Sequence, residues 1–437
     1  MNAKTSPVSI ARLPAHRVKA LSWNQALARR SLFKLLRQLK SSCLRIHEDG
    51  QVYEFGQPAS QTQLVADLFV HHPQAYSDVV FGGSIGSGEA YMSGYWSTPD
   101  LTSVIRVFVQ NLSALDAMDK KQSMISRLML KAFHWLNRNS KTGSRKNISA
   151  HYDLGNDFFR LFLDPRMMYS SAIYPTPAAS LDVAASYKLQ RVCEKLQLTP
   201  EDHLLEIGTG WGGMAIYAAQ HYGCRVTTTT ISQEQCEHAK AQVVAAGLED
   251  RVTVLFDDYR DLRGQFSKLV SIEMIEAVGH EKFSRYFETC SRLLRDDGLM
   301  LLQAITIADQ RYEQARRSVD FIQRYIFPGG SLPSVAVIAE LAKSHTDFNI
   351  VHLEDIGNHY ARTLRDWRLG FEAKRDQVLA QGFDERFIRM WEFYLCYCEG
   401  GFLERSIGTA QVLLAKPGYR PALPGVSGIN SGTNLNE

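Results

Sequence analysis

From about residue 185 the chain alternates two kinds of hydrophobic pattern. Residues 184–197 (AASYKLQRVCEKLQ) space their apolar side chains as a helix does, and HLLEIGTG (203–210) is a short apolar run ending in glycines. A run of that length bounded by turn residues predicts a buried strand. The same reading gives a helix at GGMAIYAAQHY (212–222), a β-branched strand at CRVTTTTI (224–231) and a helix at QEQCEHAKAQVVAAG (233–247). Strands follow at RVTVLFDD (251–258) and FSKLVSIEM (266–274), then a helix over 281–295 and a strand at GLMLLQAITI (298–307). This alternation predicts an α/β fold whose parallel sheet is wound on both faces.

The N-terminal part reads differently. Trp23 to Lys40 interleaves Leu27, Leu32, Phe33, Leu35, Leu36 and Leu39 with Arg29, Arg30, Lys34, Arg37 and Lys40. A basic amphipathic helix of this kind suits an anionic membrane surface. It equally suits a helix packed on its own domain with a solvated basic face, which periodicity alone favours. A second basic stretch covers 127–146 and ends in the polar NRNSKTGSRKN, a linker composition, placing a domain boundary near 140–150. The expected organisation is a smaller accessory, membrane-docking domain over 1–145, a catalytic domain over 146–420 and a disordered tail over 421–437. The glycine-rich patch 81–96 (FGGSIGSGEAYMSGYW) lacks a strand–turn–helix context for phosphate binding, and its glycines suit tight turns.

Composition narrows the class. The 49 Lys and Arg against 46 Asp and Glu leave a net charge of +3, which does not suggest a general nucleic-acid binder, although residues 1–50 alone carry a balance of +8. No apolar run approaches the ~18 residues that span a bilayer. No continuous apolar stretch follows the first charges, so no signal peptide is expected. The seven cysteines are scattered and odd in number, as reduced thiols of a cytosolic protein are. Cys396 and Cys398, without a neighbouring His or further Cys, do not make a zinc site.

The strongest local signal is LLEIGTGWGG (204–213). An acid closes a buried strand, and glycines let the backbone turn against a ligand before a helix begins. A dinucleotide site looks similar, but the spacing here is Glu206, Gly208, Gly210, Gly212, and the second strand ends in TTTTIS without an acid for a ribose. The pattern resembles motif I of class I S-adenosylmethionine-dependent methyltransferases. Five more blocks stand in order with it: HYDLGNDFFRLFLDPRMMYSSAIY (151–174), TISQEQ (230–235), SIEMIEAVG (271–279), FIQRYIFPGG (321–330) and NHYARTLRDW (358–367). Together they resemble the cyclopropane-fatty-acyl-phospholipid synthases over roughly 150–418, and GEAYMSGYW resembles the accessory domain of their two-domain bacterial members.

That resemblance implies a Rossmann-like class I methyltransferase sheet with a smaller N-terminal domain. It implies that Tyr169, Ser170, Gly208, Gly210, Thr230, Ile231, Ser232 and Gln235 contact S-adenosylmethionine, with Asp258 and Tyr259 by the adenine. Thr230 and Ser232 also read as strand-end and helix-capping residues, and Ser232 can do both jobs. The implied reaction adds a methylene from S-adenosylmethionine across a cis double bond of phospholipid acyl chains. A cation forms on the chain and a proton must leave, so the site needs a base, a dry apolar tunnel and aromatic or anionic neighbours. By resemblance, Glu276 and Tyr360 organise a bound bicarbonate as that base, helped by the backbone of Ile305. Two positions depart from the family's pattern: Ser171 stands where many members have Cys, and Gln303 where many have His. Both can still hydrogen-bond an anion, although Gln carries no charge. An altered base would also change the product, sending the same cation to a methyl- or methylene-branched chain.

Cys398 matches a cysteine proposed as catalytic in the family, but alkene methylation needs no thiol and an apolar helix accommodates it as structure. Glu273, three residues before Glu276, is the alternative carboxylate; Glu276 is preferred on the motif match. Phe158, Phe159, Phe162, Met167, Met168, Phe321, Tyr325 and Phe327 are candidates for the tunnel, or simply for the core. The expected partner is the bilayer's phospholipid, met by peripheral association from the cytoplasmic face, without nucleic acid; a homodimer is compatible. A small-molecule methyltransferase and a non-catalytic lipid- or S-adenosylmethionine-binding module are the rival classes.

Overall fold

The computed structural model describes residues 21–111, except 59, 61 and 63, and residues 154–420. The expected boundary near 140–150, the basic stretch 127–146 and the tail 421–437 lie outside the described residues. The chain divides into two compact units, the first taking residues up to 124 together with 384–393, the second the remainder.

In the first unit, helix α1 (Trp23–Leu36) opens on a reciprocal cap: Ser22 Oγ accepts from the Gln25 N–H while Gln25 Oε1 accepts from the Ser22 N–H. It buries Ala28, Leu32, Phe33, Leu35 and Leu36. Strands β1 (Cys43–Glu48), β2 (Gln51–Gly56), β3 (Val65–Val70) and β4 (Trp96–Ser97) form a sheet in the order β2-β1-β3-β4. β1 and β2 meet through Asp49 and Gly50, both at positive φ, the two-residue turn an Asp-Gly pair favours. Helices α2 (Gln74–Met92) and α3 (Leu101–Gln110) complete the unit.

Two expectations change here. The glycine-rich patch is mostly helix, not tight turns: it lies within α2, which kinks at Gly83 (φ 56°) and ends before Gly94 (φ 71°). Arg29 is also not part of a free basic face. It pairs with Glu48 at 2.7 Å and lies over the Phe33 ring at 4.2 Å, so it ties α1 to β1. The face of α1 left to solvent is a stripe of Trp23 (78% exposed), Leu27 (45% exposed), Arg30 and Lys34, continued by Arg37.

In the second unit a short helix α4 (Asn156–Phe159) precedes α5 (Leu181–Leu196), β5 (His203–Ile207), α6 (Gly213–Tyr222), β6 (Arg225–Thr229), α7 (Gln233–Ala245) and β7 (Val252–Leu255). β8 (Phe266–Ile272), α8 (Phe283–Leu293), β9 (Leu294–Ile307), α9 (Asp309–Ala315), α10 (Phe321–Tyr325) and α11 (Val335–His345) follow. The chain then forms β10 (Asn349–Asp355), α12 (Gly357–Ala373), α13 (Arg375–Ala380), α14 (Glu385–Leu403), which counts with the first unit up to residue 393, and β11 (Ile407–Ala415).

The seven-stranded sheet runs β10-β11-β9-β8-β5-β6-β7. Its five strands β9, β8, β5, β6 and β7 are parallel, as the alternating pattern predicts. β11 and β10 close one edge antiparallel, which the pattern does not reveal. One apolar layer gathers Phe283, Phe287, Leu293 and Ile338 against the sheet, and the other Leu189, Val192, Leu196, Met214 and Ala218. Strand order reverses at β5, with β6 on one side and β8 on the other. In open α/β sheets that reversal opens a crevice beyond the carboxyl ends of the strands. Among the described residues, no helix is long and apolar enough to cross a membrane.

Candidate active site

The loop leaving β5 turns through Gly208, Gly210 and Gly212, all at positive φ (103°, 52° and 93°). Its amides at Gly208 and Thr209 both donate to the Thr229 carbonyl at 3.1 Å, anchoring the loop to the end of β6. A Cβ at Gly208 would meet the Met274 side chain at 3.3 Å, whereas one at Gly210 would project into open space. The loop therefore offers backbone to a ligand at Gly210 with nothing in the way. Glu206 faces inward, accepting from the Thr228 hydroxyl at 2.6 Å, and burial pushes its carboxyl up to about 8.

The other expected cofactor residues surround this loop with varied commitments. Ser232 caps α7, accepting from the Gln235 N–H at 3.3 Å. The Thr230 hydroxyl donates to Gln235 Oε1 at 2.9 Å and accepts from the Ser232 N–H at 3.1 Å, so the three form one locked corner at which Ile231 turns the chain. Asp258 is held by Arg260 through two contacts of 2.8 and 2.5 Å, and Tyr259 packs edge-on to Tyr286 at 5.6 Å. The Tyr169 hydroxyl meets that of Tyr394 at 2.9 Å, and the Ser170 hydroxyl accepts from the fully buried Lys188 at 3.0 Å. Glycines at positive φ, open room at Gly210 and buried hydroxyls at the strand ends fit the adenosyl cofactor expected there.

The loop leaving β8 carries the two carboxylates, and the structure gives them different partners. Tyr360 pairs with Glu273, not Glu276: its hydroxyl donates to Glu273 Oε2 at 2.7 Å. Glu273 Oε1 accepts from the Ser171 N–H at 2.9 Å and from Gln303 Nε2 at 2.8 Å. The backbone clamps the same residue, because the Glu273 N–H donates to the Gln303 carbonyl at 2.8 Å. Glu273 itself sits at φ 50°, an uncommon conformation for a non-glycine residue that the surrounding hydrogen bonds enforce. Of the donors expected around a bicarbonate, Tyr360, Gln303 and the Ser171 N–H thus meet the Glu273 carboxylate, while the Ile305 N–H meets Glu276.

Ser171 contributes through its backbone, while its hydroxyl turns to the Ala172 carbonyl at 3.0 Å. Gln303 contributes through its side chain, as expected of an anion partner. Burial pushes Glu273 above the usual carboxylate range, and Tyr360, Gln303, the Ser171 N–H and the Lys188 ammonium pull it back. Glu276 accepts from the Ile305 N–H at 2.5 Å, but its Oε2 is buried without a hydrogen-bond partner. Burial and the neighbouring Glu273 push the Glu276 carboxyl up to about 8.

Aromatic rings wall the site. Tyr360 stacks on Phe402 at 4.6 Å, and Tyr169 lies 5.1 Å from Trp367, 5.2 Å from Phe159 and 6.4 Å from Phe327. Their π faces favour positive charge. Of the tunnel candidates, Phe158 and Phe162 pack on each other and on Phe371, so they are core. Cys398 lies on α14, and burial pushes its thiol far above the range where it would ionise, which fits a structural role. Lys188 and Glu273 are the two residues that the motif reading undervalued. Lys188 was legible: it occupies the apolar stripe of α5 with Ala184, Ala185, Leu189, Val192 and Leu196.

The sequence model of the family described as mycolic acid cyclopropane synthetase matches residues 139–412. The chain is 38% identical to a tuberculostearic acid methyltransferase of Mycobacterium tuberculosis over 392 residues, covering 85% of this chain and 87% of the relative. It is also 38% identical to the cyclopropane-fatty-acyl-phospholipid synthase of Escherichia coli over 356 residues, covering 80% and 88% respectively. A solved mycolic acid cyclopropane synthase complexed with SAH and CTAB matches with a TM-score of 0.59 at 31% identity, over 62% of this chain and 98% of that one. A cyclopropane synthase from Mycobacterium tuberculosis matches with a TM-score of 0.58 at 30% identity, over the same shares.

Proposed function

Because the chain belongs to the mycolic acid cyclopropane synthetase family of S-adenosylmethionine-dependent methyltransferases, we propose that it methylates the cis double bond of phospholipid acyl chains, with Glu273 as the base. The observation that carries this reading is the convergence of Tyr360, Gln303 and the Ser171 N–H on the Glu273 carboxylate. S-adenosylmethionine, held at the Gly208–Gly210 loop with Tyr169, Ser170 and Thr230 near it, supplies an electrophilic methyl group when bound.

The alkene is a weak nucleophile, and its methylation leaves a cation on the neighbouring carbon of the acyl chain. The aromatic cluster of Tyr169, Tyr360, Trp367 and Phe402 would favour that cation, and its bulk would exclude water that would quench it. Glu273 then takes a proton from the newly added methyl, and the C–H electron pair has two exits. It closes onto the cationic carbon to give a cyclopropane, or, once a 1,2-hydride shift has moved the cation to the carbon that bears the methyl, it forms a methylene branch on the chain.

Both exits use the same base and leave the same atoms on the chain. The methylene-branched exit comes first, because the departures at Ser171 and Gln303 both fall around the base and a relative matched over 85% of the chain is named for tuberculostearic acid. Ring closure, implied by the six ordered blocks and by the name of the Escherichia coli relative, is the second reading. Neither reading takes bicarbonate as its base: Tyr360, Gln303 and the Ser171 N–H donate to Glu273, and the Ile305 N–H to Glu276.

The acyl chain lies in a bilayer, and the solvent-facing stripe of α1 suits an anionic lipid surface such as a cytoplasmic leaflet. Trp23 and Leu27 supply apolar contact beside Arg30, Lys34 and Arg37. Each such cation contributes about 1 kcal/mol near an anionic surface.

The test supplies methyl-deuterated S-adenosylmethionine and vesicles of singly unsaturated phospholipid to the wild type and to Glu273→Gln. The acyl chain is expected to gain one CD₂; retention of an alkene identifies the branch, and its loss the ring. Glu273→Gln is expected to lose about 10²- to 10⁴-fold in rate, the usual contribution of a positioned base. Full turnover by that variant, or unlabelled lipid from a wild type that binds the cofactor, overturns the reading.

A further inference from the structure

Strands β10, β11 and β9 lie side by side in a register that sets Glu354 opposite Gln411 and Gln411 opposite Gln303. Directly opposed residues share one face of a sheet, so a row of polar side chains crosses an otherwise apolar surface toward the site. Lys195, on α5, joins this row. Its ammonium, whose side chain is only 9% exposed, donates to Gln411 Oε1 at 2.6 Å and pairs with Glu354. Gln411 Nε2 donates to Gln303 Oε1 at 2.9 Å, and Gln303 Nε2 donates to Glu273 Oε1 at 2.8 Å. Both glutamines are fully buried.

The polarity of this chain is set at its two ends. A primary amide can be turned either way, but an ammonium only donates and an ionised carboxylate only accepts. Lys195 therefore requires the Gln411 oxygen, Gln411 is left to offer its NH₂ to the Gln303 oxygen, and Gln303 is left to offer its NH₂ to Glu273. The second hydrogen of that NH₂ points to the Ser171 carbonyl at 3.4 Å, consistent with the same orientation. Two amide dipoles then align with their positive ends toward Glu273, behind them a cation. Aligned hydrogen bonds in a low-dielectric interior reinforce one another.

We propose that Lys195 is a positioning residue for Glu273, acting through Gln411 and Gln303 to fix the amide orientation that holds the carboxylate ready to accept a proton. The inference rests on the reading of Glu273 as the base. Every member of the row makes its next contact within hydrogen-bond distance, and among the described residues the buried Gln411 side chain, in the middle of the apolar strand β11, bonds only to Lys195 and Gln303. The titratable groups facing Glu273 are Tyr360 from α12, Lys188 from α5, Tyr394 from α14 and Glu276 from its own loop; Lys195 itself faces Glu354 and, through it, Arg191. None of those other groups fixes the Gln303 amide.

The test compares Lys195→Met, Lys195→Arg, Gln411→Met and Glu273→Gln in the full chain, reading label transfer to unsaturated phospholipid vesicles across pH, with SAH affinity as a binding control. Lys195→Met and Gln411→Met are expected to lose roughly tenfold in kcat, the scale of one hydrogen bond to an ionised group. Their KM should be unchanged and the acid limb of the profile moved to higher pH. Lys195→Arg is expected to restore both, because a guanidinium is also donor-only. Gln411→Met carries the test alone if Lys195→Met does not fold. An unshifted acid limb in both Met variants, or Lys195→Arg behaving like Lys195→Met, overturns the proposal while a dead Glu273→Gln leaves the base in place. Turnover retained by Glu273→Gln overturns the base itself.

Discussion

Tyr360→Phe removes one oxygen from the site and nothing else. The ring is buried, stacked on Phe402 at 4.6 Å and edge-on to Trp367 at 6.1 Å, so phenylalanine fits the same space. Lost is the O–H that donates to Glu273 Oε2 at 2.7 Å. Burial and the adjacent Glu273 push the Tyr360 hydroxyl well above its ordinary range, so it remains a donor throughout any practical assay pH. A hydrogen bond to an ionised partner is worth about 1.5–3 kcal/mol, or roughly 10- to 150-fold in the balance between ionised and protonated Glu273.

The sign follows from which form the bond favours. Tyr360 holds Glu273 toward its ionised form, against the burial that raises it. Without that donor the carboxylate protonates at higher pH, so kcat/KM should fall by that factor on the acid side and recover toward the wild-type value on the alkaline side. The assay is transfer of a deuterated methyl group to unsaturated phospholipid vesicles over a pH series, with SAH binding measured on the same protein. A loss that is equal at every pH would mean that Tyr360 only shapes the pocket. An unchanged profile, or an acid limb that moves in Glu276→Gln but not in Tyr360→Phe, would refute the pairing with Glu273.

Three further outcomes follow from the same geometry. Glu276 titrates near 8 in the folded chain against an ordinary 4.5, so the stability it contributes is full below 4.5 and lost as pH rises to 8; Glu276→Gln should flatten thermal stability across that window, measured as Tm against pH. Gly210→Ala places a Cβ in open space at φ 52°, a conformation costing an L-residue about 1–2 kcal/mol; SAH binding by calorimetry should weaken at least tenfold, while unfolding shifts by only that strain. Reversing Arg30, Lys34 and Arg37 to Glu should abolish sedimentation with anionic vesicles at low salt and leave Tm unchanged, whereas Arg29→Glu should lower Tm because Arg29 is paired with Glu48.

The parallel half of the sheet was legible because buried strands such as β5 and β9 and the intervening helices carry opposite periodicities. The antiparallel edge was not: β10 is exposed at nearly every position, so it shows neither the apolar run nor the alternation that marks a strand. The glycines of α2 misled for a related reason, since a residue that permits a turn does not require one. Ser232 capping α7 was readable, being a local interaction three residues long. The choice between Glu273 and Glu276 was not local. The two stand three residues apart in one loop, and what separates them is a backbone at φ 50° and a tyrosine 87 residues onward, neither of which leaves a mark in the residue pattern.

Once Glu273 is placed, the departures at Ser171 and Gln303 stop looking like losses. A bound anion needs side-chain donors to recruit and hold it, and there an uncharged glutamine is a weaker partner than a protonated histidine. A carboxylate attached to the chain needs no recruitment. Ser171 serves it with a backbone N–H that any non-proline residue would offer, which frees the side chain to turn away. Gln303 serves it with an amide that cannot ionise. A histidine at that position could take a proton and form an ion pair with Glu273, lowering the basicity that the reaction needs. A neutral donor orients the carboxylate without competing for its proton, so glutamine and Glu273 belong to one arrangement, and Gln303→His in this chain should lower kcat as pH falls through the histidine's titration.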